Sequence, residues 1–189
     1  IMLVNVYLEG DNIYSTVCDD KAAVYQAASL LIQSGRQKLL YVYTSTSYSG
    51  TNKLQGLKET LSDAGMKIDP AYIRQCAKDI TAAKELFLAL DKEGLKFDAV
   101  ITSDDSLAAG AVKFAHEAGL SIPDRLSIIG YNNSILSLCS DPELTSIDSK
   151  VEALCTTTVN TLMGVFNGGN VPSRTTIAAD LIKRETTNF

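Results

Sequence analysis

Few side chains in this sequence are equipped for covalent or acid-base chemistry. Its one histidine, His116, falls inside Phe114-Ala115-His116-Glu117, a stretch with helical spacing. A Ser-His-Asp or Cys-His mechanism places its imidazole at a strand end or in a loop, so His116 reads as a partly exposed helix residue. Cys18, Cys76, Cys139 and Cys155 form no C-x-x-C pair, and one histidine cannot complete a Cys/His metal set. Neither G-x-G-x-x-G after a strand nor G-x-x-x-x-G-K-[ST] occurs, so the backbone cradles for a dinucleotide or a triphosphate are missing. The residues therefore point to no catalytic group, no metal and no cofactor. What remains is the carboxylate pair Asp104-Asp105, suited to acid-base work, to ligation, or to capping a helix and opposing its dipole. Asp104 is the stronger functional candidate, because it stands where a strand ends. Tyr41, Tyr43 and Tyr48 add aromatic faces. The first two fit ordinary strand positions, and Tyr48 lies in a polar loop.

The elements that would position these residues alternate. Ile1 to Tyr7 reads as a buried strand, and chain is expected upstream of it. Ser15 to Cys18 is a strand that meets Asp19-Asp20, and an alanine-rich helix follows to Gly35. Strands at Lys38 to Tyr43, Ala71 to Cys76, Asp98 to Thr102 and Leu126 to Gly130 alternate with helices around Leu54 to Ala64, Ala82 to Leu90 and Asp105 to Ala118. Such a rhythm predicts βαβ units in a parallel sheet, whose ligands bind beyond the carboxyl ends of the strands. The loops to watch are Thr44 to Asn52, Ala77 to Ile80, Ser103 to Ser106 and Tyr131 to Ser140. After Asp141-Pro142 come a short strand at Thr145 to Ile147, a helix from Lys150 to Phe166 and a last strand at Thr176 to Arg184. A chain that visits two lobes more than once in this way makes a hinge.

The 189 residues are 46% hydrophobic and 21% charged, enough to bury a core, and no apolar run is long enough for a membrane span. Seventeen Lys and Arg stand against 22 Asp and Glu, a formal charge of −5. Nucleic-acid binding needs concentrated cations, so this chain by itself is not expected to hold DNA. A full apolar complement makes disulfide staples unnecessary and favours reduced thiols in a cytoplasmic protein.

Against this background, ITSDDSLAAGAVKFAHEAGLSIPDRLSIIGYNN, Ile101 to Asn133, resembles the LacI/GalR-family stretch that reads as a strand, [ND]-D-x-x-A-x-G, a helix, and G-L-x-I-P-x-D-[IL]-S-[IL]-[IV]-G-[YF]-[DN]. PELTSID, Pro142 to Asp148, resembles the family's P-x-L-T-[ST]-[IV], and LIKRETT, Leu181 to Thr187, its terminal L-[IV]-x-R-x-[ST]. Upstream, VCDDKAAVYQAASLLIQSGRQKLLYV and KLQGLKETLSDAG are similar to the family's V-x-x-D-N segment with its alanine-rich helix and to R-x-x-G-[FYW]-x-x-A-[LM].

The resemblance implies an α/β, two-lobed periplasmic-binding-protein-like fold of type I, with parallel sheets flanked by helices and an incomplete amino-terminal lobe. Residues 1–12 and 133–174 are expected in that lobe, and 13–132 and 175–189 in the carboxyl-terminal one, with a helix-turn-helix headpiece outside this chain. It also implies a small carbohydrate effector bound between the lobes by Asn5, Ser47, Lys53, Lys78, Asp104 and Asn132. Lys53 stands where the family has Arg and gives up the planar fork that grips two vicinal hydroxyls. Asn5 and Asn132 replace frequent carboxylates with amides that both donate and accept. The partners implied are operator DNA, through the headpiece only, and a second copy of the chain, through the helices near Leu54 to Ala64 and Asp105 to Ala118. The alternative on the same fold is a sugar-binding protein serving a transporter. An enzyme on such a sheet finds no nucleophile or placed imidazole here.

Overall fold

A computed structural model describes residues 1–189. Two sheets organise the chain. The larger runs in the order β4 (Ile73–Gln75), β3 (Leu39–Tyr43), β5 (Ala99–Thr102), β6 (Ser127–Tyr131), β7 (Thr145–Asp148) and β9 (Asp180–Ile182). All its pairings are parallel except that of β7 with β9. Strand β3, LLYVY, shows why its sequence is one apolar run rather than an alternation. Leu40 and Val42 face the core under α3 (Ile80–Lys92) and α4 (Asp105–Glu117), whereas Leu39 and Tyr41 face the core under α1 (Asp20–Gln33) and α2 (Tyr48–Asp63). A parallel sheet covered on both faces needs apolar residues at every position.

The helix pairs lie close because glycine removes a side chain at each crossing. A Cβ on Gly56 would come within 2.2 Å of the Lys21 carbonyl oxygen, and one on Gly110 within 2.5 Å of Ala83 Cβ. Phe87, Phe97 and Phe114 fill the α3/α4 side with ring centroids 5.8 to 6.2 Å apart, and Phe87 has no exposed surface.

The smaller sheet is three-stranded and parallel, in the order β1 (Met2–Val4), β2 (Tyr14–Cys18) and β8 (Arg174–Ile177), with α6 (Val151–Phe166) packed on β1 and β2. Here the expected boundaries move. Residues 14–18, expected in the larger lobe, form the central strand of the small sheet, and β7, expected in the smaller lobe, pairs inside the large sheet. The single strand expected at Thr176 to Arg184 is two strands, β8 and β9, divided between the sheets. The physical reason is shared: strand pairing is settled by partners distant in sequence, which local apolar pattern does not report.

Other expectations shift at their ends. The strand from Ile1 stops at Val4, because Asn5 takes a left-handed backbone with φ 57°. Helix α2 begins at Tyr48, inside the stretch expected as loop, where Ser47 caps it by accepting from the Gly50 N–H at 3.2 Å. A single turn at Pro70–Tyr72 shortens β4, and a short helix α5 (Ile135–Cys139) forms in the loop after β6.

The chain passes between the sheets after β2, after β7 and after β8. Lys150 Nζ joins the last two crossings, 2.6 Å from Asp180 and 3.5 Å from Asp148. The terminal segment closes the large sheet: Thr186 Oγ donates to the Ile128 carbonyl at 2.7 Å and accepts from the Thr145 N–H at 2.9 Å. No helix is long and apolar enough to cross a membrane, and all four cysteines are free.

Candidate functional site

The carboxyl ends of β3, β5 and β6 lie side by side, so the residues just beyond them converge. Asp104 is the centre. Its Oδ1 caps α4, accepting from the Ser106 N–H at 3.0 Å and the Ser106 hydroxyl at 2.7 Å. Its Oδ2 accepts from Asn132 Nδ2 at 2.9 Å and lies 2.7 Å from Lys78 Nζ. Burial alone would raise its pKa, but Lys78 and Ser106 outweigh burial and hold the carboxyl below its ordinary value. The cap and the contacts to Asn132 and Lys78 are thus made by different oxygens of one side chain.

Asp105 plays a structural part. Nearly fully buried, it accepts from the Ser134 N–H at 2.7 Å, the Ser134 hydroxyl at 2.9 Å and the Ser146 hydroxyl at 2.6 Å. These bonds hold the turn after β6 against α4, and the turn presents Asn132 with φ 95°. Gly130 permits the approach, since a Cβ there would stand 2.1 Å from Asp105 Oδ1. Across β3 and β5, the Thr44 N–H donates to Ser103 Oγ at 3.1 Å.

Lys53 comes from α2 and is only 7% exposed. Its Nζ donates to the Ser103 carbonyl at 3.3 Å and sits 3.4 Å from the centroid of the Tyr131 ring. Asp20 Oδ1 is 4.0 Å away, an electrostatic neighbour rather than a hydrogen-bond partner. Burial lowers the Lys53 pKa against the pull of Asp20, and burial raises that of Asp20 against the pull of Lys53. Tyr131 donates its hydroxyl to Asp20 and lies 3.8 Å from Cys18 Sγ. Burial, then the Asp20 charge, pushes the Cys18 thiol up to about 11. Asp20 Oδ2 has no donor within the protein.

Around Lys53, Asp104 and Asn132 closes a cavity of about 160 Å³ whose walls contain no apolar residue, completed by Ser47 and its neighbours in the loop after β3. Asn132 also borders a wider cleft of about 700 Å³, which reaches Asp148, Lys150, Val151 and Glu152 at the amino-terminal end of α6. The two together run from α2 of the large unit to α6 of the small one. A second link spans the same units: Arg174 Nη2 donates to the Tyr48 hydroxyl at 3.1 Å, with its guanidinium 4.7 Å over the Tyr7 ring.

Four of the six residues proposed from the sequence, Ser47, Lys53, Asp104 and Asn132, line one cavity. Lys78 lies outside it, two-thirds exposed, and reaches it only through Asp104. Asn5 lines neither hollow. Its Oδ1 accepts from the Cys18 N–H at 3.2 Å and its N–H donates to the Thr16 carbonyl at 2.8 Å, so it ties β1 to β2. Sequence reasoning missed Asp20, Tyr131 and the α6 end. One signal was available for Asp20: in Asp19-Asp20 a single carboxylate suffices as cap, and Asp19 is that cap, accepting from the Ala22 N–H. No group of three or more His, Cys, Asp or Glu is placed to hold a metal.

Comparison with known proteins gives this geometry a context. Residues 28–187 match the family model described as a periplasmic binding protein-like domain. An HTH-type transcriptional regulator of Lachnoclostridium phytofermentans is 51% identical over 189 residues, all of this chain and 57% of that protein. The HTH-type transcriptional regulator AscG of Escherichia coli is 27% identical over 98% of this chain and 55% of its own length. The chain therefore spans about half the length of the curated relatives it matches. Among solved structures, a sugar-binding transcriptional regulator of the LacI family from Escherichia coli, complexed with phosphate, superposes with a TM-score of 0.90 at 27% identity, over 98% of this chain and 67% of that one.

Proposed function

We propose a function from the premise that this chain belongs to the periplasmic binding protein-like domain family and, within it, to the LacI/GalR type of transcriptional regulator: it is the effector-binding part of such a regulator. The effector is a small sugar or sugar phosphate held between the two units. The observation that carries this reading is the Asp104–Asn132 pair at the centre of an all-polar cavity that opens toward α6. A sugar hydroxyl can donate to the Asp104 carboxylate while accepting from the Asn132 amide N–H, and a second hydroxyl can donate to the Asn132 amide oxygen. Lys53 supplies a point charge in place of a fork, which suits an electronegative oxygen better than two vicinal hydroxyls.

A cavity of about 160 Å³ is smaller than the roughly 300 Å³ at which ligand pockets begin, so the effector also occupies the wider cleft and touches α6. An effector seated on both units favours one arrangement of them over another, by its difference in affinity for the two. Through the buried Cys18, Tyr131, Asp20 and Lys53 cluster at the first crossing, occupancy is felt where β2 leaves the small sheet. Operator binding by a headpiece, assembly into a homodimer, a cytoplasmic location and the absence of enzymatic activity belong to the same proposal. Helix α4 leaves only Lys113, His116 and Glu117 exposed along its length, whereas Ile135 and Leu138 of the adjacent α5 are exposed apolar residues. The dimer contact is therefore assigned to α5 beside the end of α4.

Thermal unfolding against a panel of sugars and sugar phosphates tests the effector reading, because a ligand that binds only the folded state raises its stability by about 2.7 kcal/mol at 100 times its Kd. One compound is expected to raise the melting temperature, and Asn132→Ala and Lys53→Ala are expected to abolish that rise. A panel without effect, or a rise that both variants retain, sinks the assignment of this cavity.

A further inference from the structure

A separate hollow of about 590 Å³ lies at the amino-terminal ends of β3 and β4, the opposite end of the large sheet from the polar cavity. The carboxyl ends of α1 and α2 and the loop after α2 enclose it. Its walls are mainly apolar: Leu39, Leu57 and Leu61 belong to the buried core, and Met66, Tyr72 and Ile73 close the sides. Its rim is cationic, with Arg36, Lys38 and Lys67 against the single carboxylate of Asp69, which already accepts from the Ala71 N–H at 2.9 Å. Arg36 is held in place by donating to the carbonyls of Asp124 and Pro123. Lys38 and Lys67 take part in none of the eight ion pairs of the protein.

The charges decide what this hollow suits. Two helix carboxyl ends contribute about half a negative charge each. With them, Asp69 and, beside the rim, Asp98, whose carboxylate accepts from the Gln37 and Lys38 N–H groups at 2.9 to 3.2 Å, offset the three cations in sum, so what sets the rim apart is two ammonium groups, on Lys38 and Lys67, with no ion-pair partner. A neutral apolar ligand would make no use of Lys38 and Lys67, which stand exposed with no ion-pair partner. A wholly polar ligand would leave the accessible apolar wall of Met66, Ile68, Tyr72 and Ile73 in water. We propose that this cavity binds a small amphipathic monoanion, with a ring or short-chain body against Met66, Tyr72 and Ile73 and an acidic headgroup at Lys38 and Lys67. Its volume falls within the range of small-molecule sites.

The chain carries its own reporters, three methionines in three settings. Met66 lines the hollow, Met2 lies in β1, and Met163 lies on the exposed side of α6. Carbon-13 methyl-methionine NMR on the full chain, titrated with 1-naphthalenesulfonate and separately with neutral 1-naphthalenemethanol, reads all three at once. The expected result is a saturable shift of the Met66 methyl with the sulfonate, while Met2 and Met163 stay in place. Ala64→Trp, at an exposed position on the cavity wall, is expected to abolish that shift. The exposed double variant Lys38→Gln/Lys67→Gln is expected to weaken the sulfonate about fivefold and leave the alcohol unchanged. Shifts at Met163 or Met2 in place of Met66 overturn the proposal, as does equal weakening of both probes in the lysine variant. Should Ala64→Trp fail to fold, the lysine variant decides alone.

Discussion

The two sheets of this protein bury their apolar surface to very different extents. In the large unit both faces are covered, and ten of the thirteen residues of α4 are buried. In the small unit α6 buries Leu154 alone, while Val151, Val159, Met163 and Phe166 are each more than half exposed. Ile1 and Leu8, on either side of β1, are exposed as well. The large unit therefore holds its own core, and its polar cavity is built on rigid strand ends. The small unit contributes the other wall of the cleft from elements with far fewer buried contacts. Local stability follows buried apolar contact, so within these 189 residues the small unit is the less firmly held half.

That contrast breaks most visibly in the cores. Phe87→Ala removes a ring packed between Phe97 and Phe114 and is expected to cost about 3 to 5 kcal/mol in urea unfolding. Phe166→Ala removes an equally large ring that is 74% exposed, and is expected to change stability by less than about 0.5 kcal/mol. A comparable loss from both substitutions would mean that α6 is as well packed as α3, and the comparison would fall.

Legibility in the sequence follows the same division. Strands β3, β5 and β6 and helices α1 to α4 were readable because a doubly covered parallel sheet writes apolar runs and helical periodicity into local sequence. Ser47, Asp104 and Asn132 belong to strand-end loops, where such sheets hold ligands, whereas Lys53 was named only through the family resemblance; the structure brings the four to one cavity. The small sheet was not, since Ser15 to Cys18 looks the same locally whether it pairs with β1 and β8 or with β3. Asn5 lies outside both hollows for a related reason: its left-handed backbone turns the side chain to Cys18, and the apolar run before it gives no sign of that turn. The position of Lys53 depends on Tyr131 and Asp20, one 78 residues after it and the other 33 before it, which no local pattern joins.

The carboxyl end of the large sheet sharpens the comparison at a smaller scale. Gly130→Ala places a methyl against Asp105 and must displace either the carboxylate or β6, at an expected cost of about 1 to 3 kcal/mol. Because Asp105 also holds Ser134, the variant is expected to disorder the turn that presents Asn132 and to weaken effector binding beyond its loss of stability. A variant that loses stability but keeps full affinity would show that Asn132 is oriented by Asp104 alone.

A smaller expected loss isolates the charge of Asp104. Asp104→Asn keeps a competent helix cap and removes the attraction to Lys78. The Lys78 side chain is two-thirds exposed, so solvent screens the pair, and the loss at pH 7 is expected to be at most about 1 kcal/mol. Its pH dependence has a definite sign. The folded carboxyl has a pKa below its unfolded value of about 3.9, so the folded state binds fewer protons as the group titrates. The charge therefore stabilises the protein fully above that unfolded value, and this contribution disappears as pH falls through the lowered folded pKa. Wild type and Asp104→Asn are expected to differ in melting temperature near neutrality and to converge in acid below the folded pKa. Curves that stay parallel to the lowest accessible pH would assign the loss to geometry, making Asp104 a structural cap with no electrostatic part in the cavity it lines.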